Sequence, residues 1–353
     1  MKGFSIMKKR GILCGILIIL AIIAAVFLFQ IGRKQEEISC TEQLFAMDTY
    51  MEFTAYGKNS EQAVKKAAEK IRDLDALLST GKEESEIGQL NRKGSLEVSE
   101  ETASIFQKST EIYEKTDGLF DFTIYPLMEL WGFADKNYHV PSEKELEEVL
   151  PLVNASLVKQ KALENGRAEV TLKEGQKVDF GGIAKGYASA ALMEIYRQEG
   201  VLSGMVSLGG NVQVLGEKPD GTGWKIGIRS PSQGSSEWIA AITVKDRAVV
   251  TSGGYERFFE ENGKTYIHIL DPRTGLPADS GLLSVTIVSP DGILADALST
   301  SLYIMGREDA AEYWRTHREE FDMILLDTDH HFWVTEGISD VFDSDLEWEI
   351  ISA

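Results

Sequence analysis

Cysteine is nearly absent from this chain, with two in 353 residues, Cys14 and Cys40. Cys14 lies inside an apolar run, so no disulfide framework is available, and no cysteine spacing suits a metal. Positive charge is in deficit: 36 Lys and Arg stand against 56 Asp and Glu, a formal net charge of −20. Such a chain repels nucleic acid, whose binding depends on neutralising phosphates with Lys and Arg. There is no internal repeat, no low-complexity tract and no Pro/Ser-rich linker, so the body reads as one large unit.

The charge that exists is unevenly placed. Residues 1–38 hold six basic and two acidic side chains, a balance of +4; subtracting this from −20 leaves −24 for residues 39–353. Within the first segment, Gly11 to Ile31 runs 21 residues without a charge, enough to span a hydrocarbon core of roughly 30 Å. Lys8, Lys9 and Arg10 precede it, which orients the N-terminus to the cytoplasm and the body outside. A cleaved signal peptide is the competing reading; we expect a retained anchor over residues 1–38. Cys40 does not suit lipid attachment, because "EEISC" places Glu37 where an apolar residue belongs. A body so acidic needs local positive charge, or a metal ion, if its substrate is anionic.

Periodicity and turn chemistry predict a mixed body. Ser60 is expected to cap a helix burying Val64, Ala67, Ala68, Ile71, Leu74 and Leu78. A second helix runs from about Ser99 to Thr116, and "SEKE" from Ser142 has capping-box spacing. Asn165-Gly166 and Asn262-Gly263 signal hairpins. "WKIGIRS", "WIAAITVKD", "AVVTSG", "TYIHIL", "LLSVTIVS" and "FDMILLD" read as strands. Helices from Ile183, from about Leu294 and from Arg307 punctuate them. The pattern implies an α+β fold of antiparallel sheets with packed helices, not a doubly wound parallel sheet.

Five segments place glycine and polar residues where a core would carry valine and leucine. "VDFGGIAKGYA" (Val178 to Ala188) sets two glycines and Lys185 at a helix start, where free N–H groups suit an anion. "SLGGN" (Ser207 to Asn211) and "VVTSGGYERFF" (Val249 to Phe259) each interrupt a strand, with Tyr255 and Arg257 expected on the surface. "YIHILDPRTGLP" carries His268 in an apolar strand, where a histidine is more often packed than catalytic. In "ADALSTSLYIMG", Asp296 and Thr300 share one helix face with Ser299 alongside. A carboxylate with hydroxyl oxygens suits a hard cation such as Mg²⁺; equally, Asp296 complements the helix dipole and Thr300 bonds back to the helix.

The order of these segments resembles the FAD:protein FMN transferase family (ApbE), from "MDTY" at Met47 through "SEIGQLN", "GLFDFTIYPLMELWGF" and the stretches above to "ADALST". The resemblance covers about Phe45 to Gly306. It implies a T-fold-like α+β catalytic domain over residues 39–353. It also implies an enzyme that moves the FMN half of FAD, with Mg²⁺, onto a threonine of an acceptor flavoprotein and releases AMP. By the same resemblance, Asp296, Thr300, Ser299 and the backbone of Gly182 match metal ligands. Met47, Trp131, Gly132, Phe133, Asp179, Lys185 and the backbone of Leu270 match FAD contacts. His268 matches the general base, expected to titrate near the ordinary histidine value of about 6.5. Gly81 replaces an aromatic that many members carry after "LLST". The implied location is a bacterial cell membrane, with the catalytic domain on the extracytoplasmic side. Two other functions compete: a metal-dependent FAD pyrophosphatase, which would use the same residues with water as nucleophile, and a membrane-anchored protein that binds flavin without chemistry.

Overall fold

The computed structural model describes residues 38–232 and 237–353. The uncharged Gly11–Ile31 run, and with it the expected anchor or signal helix, lies outside the described residues. Among the described residues, no helix is long and apolar enough to cross a membrane.

Nine strands make the main sheet, and they lie side by side in the order in which the chain forms them. They are Ser39–Ala46, Thr49–Tyr56, Ser203–Leu208, Asn211–Leu215, Ala248–Gly253, Leu282–Ser289, Asp322–Asp327, Phe332–Thr335 and Trp348–Ile351. The pairings are antiparallel except the last, where Phe332–Thr335 and Trp348–Ile351 run parallel at one edge. Helices Ser60–Leu78, Ala184–Gln198 and Gly292–Met305 pack on one face. A three-stranded sheet of Trp224–Arg229, Trp238–Val244 and Phe342–Ser344 covers the other. Covered on both sides, Leu282–Ser289 is buried almost throughout and carries apolar residues on both of its faces, with Ser284, Thr286 and Ser289 as buried polar residues among them.

Local signals account for most of the boundaries. The expected stripe of Val64, Ala67, Ala68, Ile71, Leu74 and Leu78 is buried. Ser99 caps Glu100–Lys115, and Ser142 with Glu145 forms a complete capping box. Both Asn-Gly turns adopt left-handed backbone at each residue and close antiparallel hairpins, as type I′ turns require. One cap differs from expectation. Ser60 is inside its helix and Asn59 holds the cap position without a side-chain capping bond. Asn59 Nδ2 instead donates to the Glu199 carbonyl at 2.8 Å, tying the start of this helix to the end of Ala184–Gln198.

Candidate active site

A cleft of about 930 Å³ opens on the helix side of the sheet, at the upper end of the usual range for small-molecule sites. Met47, Phe133, Asp179, Gly182, Lys185, His268, Leu270, Asp296 and Thr300 all line it. Three other expected residues lie behind the wall. Trp131 is buried, its Nε1 donating to the Gly275 carbonyl at 2.8 Å. Gly132 has φ +73°, and a Cβ there would stand 2.0 Å from the Asn137 carbonyl oxygen. Together they hold Phe133 at the cleft through backbone and packing. Ser299 is 0% exposed and its hydroxyl donates to the Asp296 carbonyl at 2.7 Å.

Helix Gly292–Met305 begins earlier than its apolar pattern suggests. Asp291 caps it, its Oδ1 accepting the Ile293 and Leu294 N–H groups at 2.8 and 3.3 Å. Asp296 therefore sits a turn inside the helix, and complementing the helix start falls to Asp291. Asp296 is only 4% exposed, an expensive position for a carboxylate without compensation. Its Oδ2 accepts the Gly186 N–H at 2.8 Å, and its Oδ1 lies 3.9 Å from Lys185 Nζ. Oδ1 therefore faces the cleft with a cation at the limit of ion-pair range.

The Gly186 contact fixes the spacing of two helices. A Cβ on Gly186 would come within 2.2 Å of the Gly292 carbonyl oxygen and 2.6 Å of Asp296 Cβ. Neither neighbour is a flexible chain end. Gly186→Ala should therefore push the helices apart, at about 1–3 kcal/mol for an overpacked core. A thermal midpoint unchanged from wild type would show that the helices yield freely there.

Ser252, absent from the sequence-derived set, joins the carboxylate's helix to the sheet. Its Oγ lies 2.7 Å from Ser299 Oγ and 3.2 Å from Thr300 Oγ1. Its signal in the sequence is its place in "VVTSGGYERFF", where it and two glycines interrupt an apolar strand. Asp179 is held by its own loop: its N–H donates to the Phe122 carbonyl at 2.8 Å, and its Oδ1 accepts the Gly181 N–H at 2.8 Å. The Phe180 ring beside it packs edge-on against Phe106 at 4.8 Å between centroids. Burial pushes the Asp179 carboxyl up, opposed by the Gly181 bond and by the charges of Arg257 and Lys185.

His268 follows directly after the strand Lys264–Ile267. Its backbone N–H donates to the Arg257 carbonyl at 3.0 Å, and its ring Nδ1 lies 3.0 Å from the same oxygen. A carbonyl can only accept, so Nδ1 carries the proton and Nε2 keeps its lone pair. Burial, then the positive charge of Arg257, pushes the imidazole down to about 4, below the value its residue type suggests. Arg257 is not the idle surface residue expected of it: Nη2 donates to the Phe133 carbonyl at 2.7 Å, and the residue lines the cleft. One arginine thus holds both the imidazole and the aromatic wall.

These groups offer a cation one carboxylate, one hydroxyl and the peptide carbonyl of Gly182, all hard oxygen donors. Among the described residues no cluster of three or more His, Cys, Asp or Glu could hold a metal. That donor set fits Mg²⁺, which is commonly bound by one or two carboxylates together with waters and substrate phosphates.

A family model described as the ApbE family matches residues 47–325. A protein of Klebsiella pneumoniae (strain 342) named FAD:protein FMN transferase is 33% identical over 260 residues, 72% of this chain and 79% of its own length. Another of that name, from Escherichia coli (strain K12), is 31% identical over 285 residues, 77% of this chain and 79% of its own. The crystal structure of the ApbE protein of Thermotoga maritima superposes with a TM-score of 0.78 at 33% identity, covering 85% of this chain and 98% of that one.

Proposed function

The chain belongs to the ApbE family, and on that premise we propose that it is an FAD:protein FMN transferase. It takes FAD into the cleft, joins the FMN phosphate to a threonine hydroxyl of an acceptor flavoprotein, and releases AMP. One observation carries the reading. A neutral imidazole with a free Nε2 and a buried carboxylate beside a hydroxyl face the same cavity. A protein that only stored flavin would need neither.

In the reaction, the threonine oxygen forms a bond to the FMN phosphorus and the bond from that phosphorus to the AMP phosphate oxygen breaks. The hydroxyl proton passes to His268 Nε2. Its Nδ1 stays tied to Arg257, so the ring cannot turn its protonated edge to the threonine. Lys185 and Arg257 bring positive charge to the diphosphate within a strongly acidic body. Asp296, Thr300 and the Gly182 carbonyl would hold Mg²⁺, with Ser299 steadying them through Ser252. Bound there, the ion supplies neutralisation of the diphosphate and polarisation of the attacked phosphoryl group. Met47, Phe133 and the backbone of Leu270 border the flavin and adenine, backed by Trp131 and Gly132.

The direct test incubates the purified full chain with FAD, Mg²⁺ and a candidate acceptor. Flavin fluorescence that stays with the acceptor band after denaturing electrophoresis is the expected result. Release of free FMN and AMP with no labelled acceptor would identify the pyrophosphatase instead. The Gly11–Ile31 run and the basic residues before it support a reading in which a retained anchor holds the catalytic domain outside the cytoplasm. A reporter fused after Ala353 should therefore be active only on the extracytoplasmic side, and cytoplasmic activity would reverse the topology.

A further inference from the structure

Asn211 takes no part in the mechanism above, yet the fold fixes its position closely. It opens the strand Asn211–Leu215 directly after a two-glycine turn in which Gly209 and Gly210 have φ +63° and +94°. Only glycine takes such a pair of angles without strain. A Cβ on Gly209 would lie 2.1 Å from Thr49 Oγ1, and the Gly209 N–H donates to the Tyr50 carbonyl at 3.0 Å. The turn is therefore seated against the adjacent strand, and Asn211 cannot slip in register.

That register decides what the side chain faces. Asn211 pairs with Val250, so the two project from the same face of the sheet, and Ser252 two residues on projects there as well. Val250 packs in the cluster built on helix Gly292–Met305, and Ser252 bonds Ser299 and Thr300. Asn211 thus lines the cleft on the sheet side of Asp296 and Thr300. It is only 2% exposed, and neither Oδ1 nor Nδ2 has a protein partner among the described residues. Buried amides are rarely left so, and each exception calls for an explanation.

We infer that Asn211 binds substrate: its Nδ2–H donates to a non-bridging oxygen of the FAD diphosphate. The assignment rests on the transferase reading of this cleft. A neutral donor suits the place, because it meets a phosphate oxygen without adding a charge that must be buried in ligand-free protein. A donor fixed by the turn before the substrate arrives also stabilises charge that grows on the phosphoryl oxygens during attack.

Asn211→Leu, of similar size and without polar atoms, separates this from a structural role. With no ligand, its thermal midpoint should equal or exceed that of wild type, since no unpaired amide remains to be buried. Its FAD affinity, read by flavin fluorescence, should weaken about tenfold, and single-turnover FMN transfer should slow by about 10²-fold. Asn211→Asp should lose more FAD affinity than Asn211→Leu, because a carboxylate replaces the donor opposite the diphosphate. A lowered midpoint with normal FAD affinity and normal transfer per folded molecule would make Asn211 structural and overturn the inference. Wild-type affinity in Asn211→Asp would overturn the donor assignment. If wild-type protein binds FAD but labels no acceptor, the transferase reading fails, and the affinities of the two variants still decide the role of Asn211.

Discussion

Asp296→Asn is expected to abolish FMN transfer while leaving the fold in place. Asparagine has the shape of aspartate, and its Oδ1 can still accept the Gly186 N–H that Asp296 accepts at 2.8 Å. What is lost is the charge and the cleft-facing acceptor oxygen, whose place an NH2 group takes. Metal-assisted stabilisation of a phosphoryl transition state is worth several kcal/mol, or about 10³-fold in rate at roughly 1.4 kcal/mol per factor of ten. Asp296→Ala is the less informative variant. It strands a buried N–H at a cost of about 1–3 kcal/mol, more than a residue merely complementing a helix dipole would lose. Thr300→Ala should act in the same direction as Asp296→Asn but more mildly, because it removes a neutral ligand. Measuring thermal midpoint and Mg²⁺-dependent single-turnover transfer on Asp296→Asn decides the matter. Full turnover in that variant would reduce the carboxylate to a packing role.

His268→Asn should bind FAD nearly as well as wild type yet transfer FMN about 10² to 10⁴ times more slowly, the usual loss on removing a general base. The pH dependence sharpens the test. The folded-state pKa is pushed down to about 4, against about 6.5 in an unfolded chain, so the imidazole is neutral across the physiological range. The acid limb of the rate profile should therefore fall toward pH 4 instead of near 6.5. Stability carries the same sign. Between pH 6.5 and 4 the unfolded chain takes up this proton and the folded chain does not. The contribution of His268 is thus present above pH 6.5 and is lost as pH falls through that window. His268→Asn should flatten that part of the stability curve. Normal transfer per folded molecule would remove His268 from the chemistry, and an acid limb centred near 6.5 would show the ring to be better solvated than its burial implies.

The sequence showed the parts of this site that depend on local rules and missed those that depend on register. Asn-Gly turns, the Ser142 capping box and the glycine pairs declare themselves within a few residues. Asp291 and Asp296 could not be told apart that way, since each is an aspartate near the start of one apolar helix. Only the bonds from Ile293 and Leu294 show which of them caps. Ser252, Arg257 and Asn211 lie in segments that stand out in the sequence, but their individual roles stay hidden there because they arise across strands. The depressed pKa of His268 likewise depends on Arg257, brought beside it by the hairpin of Phe258–Glu261 and Lys264–Ile267. The motif at "WGF" points at the right segment, but only Phe133 of the three reaches the cavity.

The carboxylate at Asp296 and the amide at Gly186 meet across 110 residues of chain, and the cleft draws its walls from Phe45 at one end to Ile304 at the other. Contacts of such long sequence separation repay their loop-closure entropy late, so slow folding is the expectation for this molecule. The binding pocket is then among the last features to form during synthesis or refolding. A proteolytic half of the chain, carrying only part of that lining, is expected not to bind FAD, which a flavin-fluorescence titration of each half would check. Capture of the dinucleotide should consequently appear in refolding experiments as the slowest phase, after secondary structure is complete, and should serve as a reporter of the finished molecule.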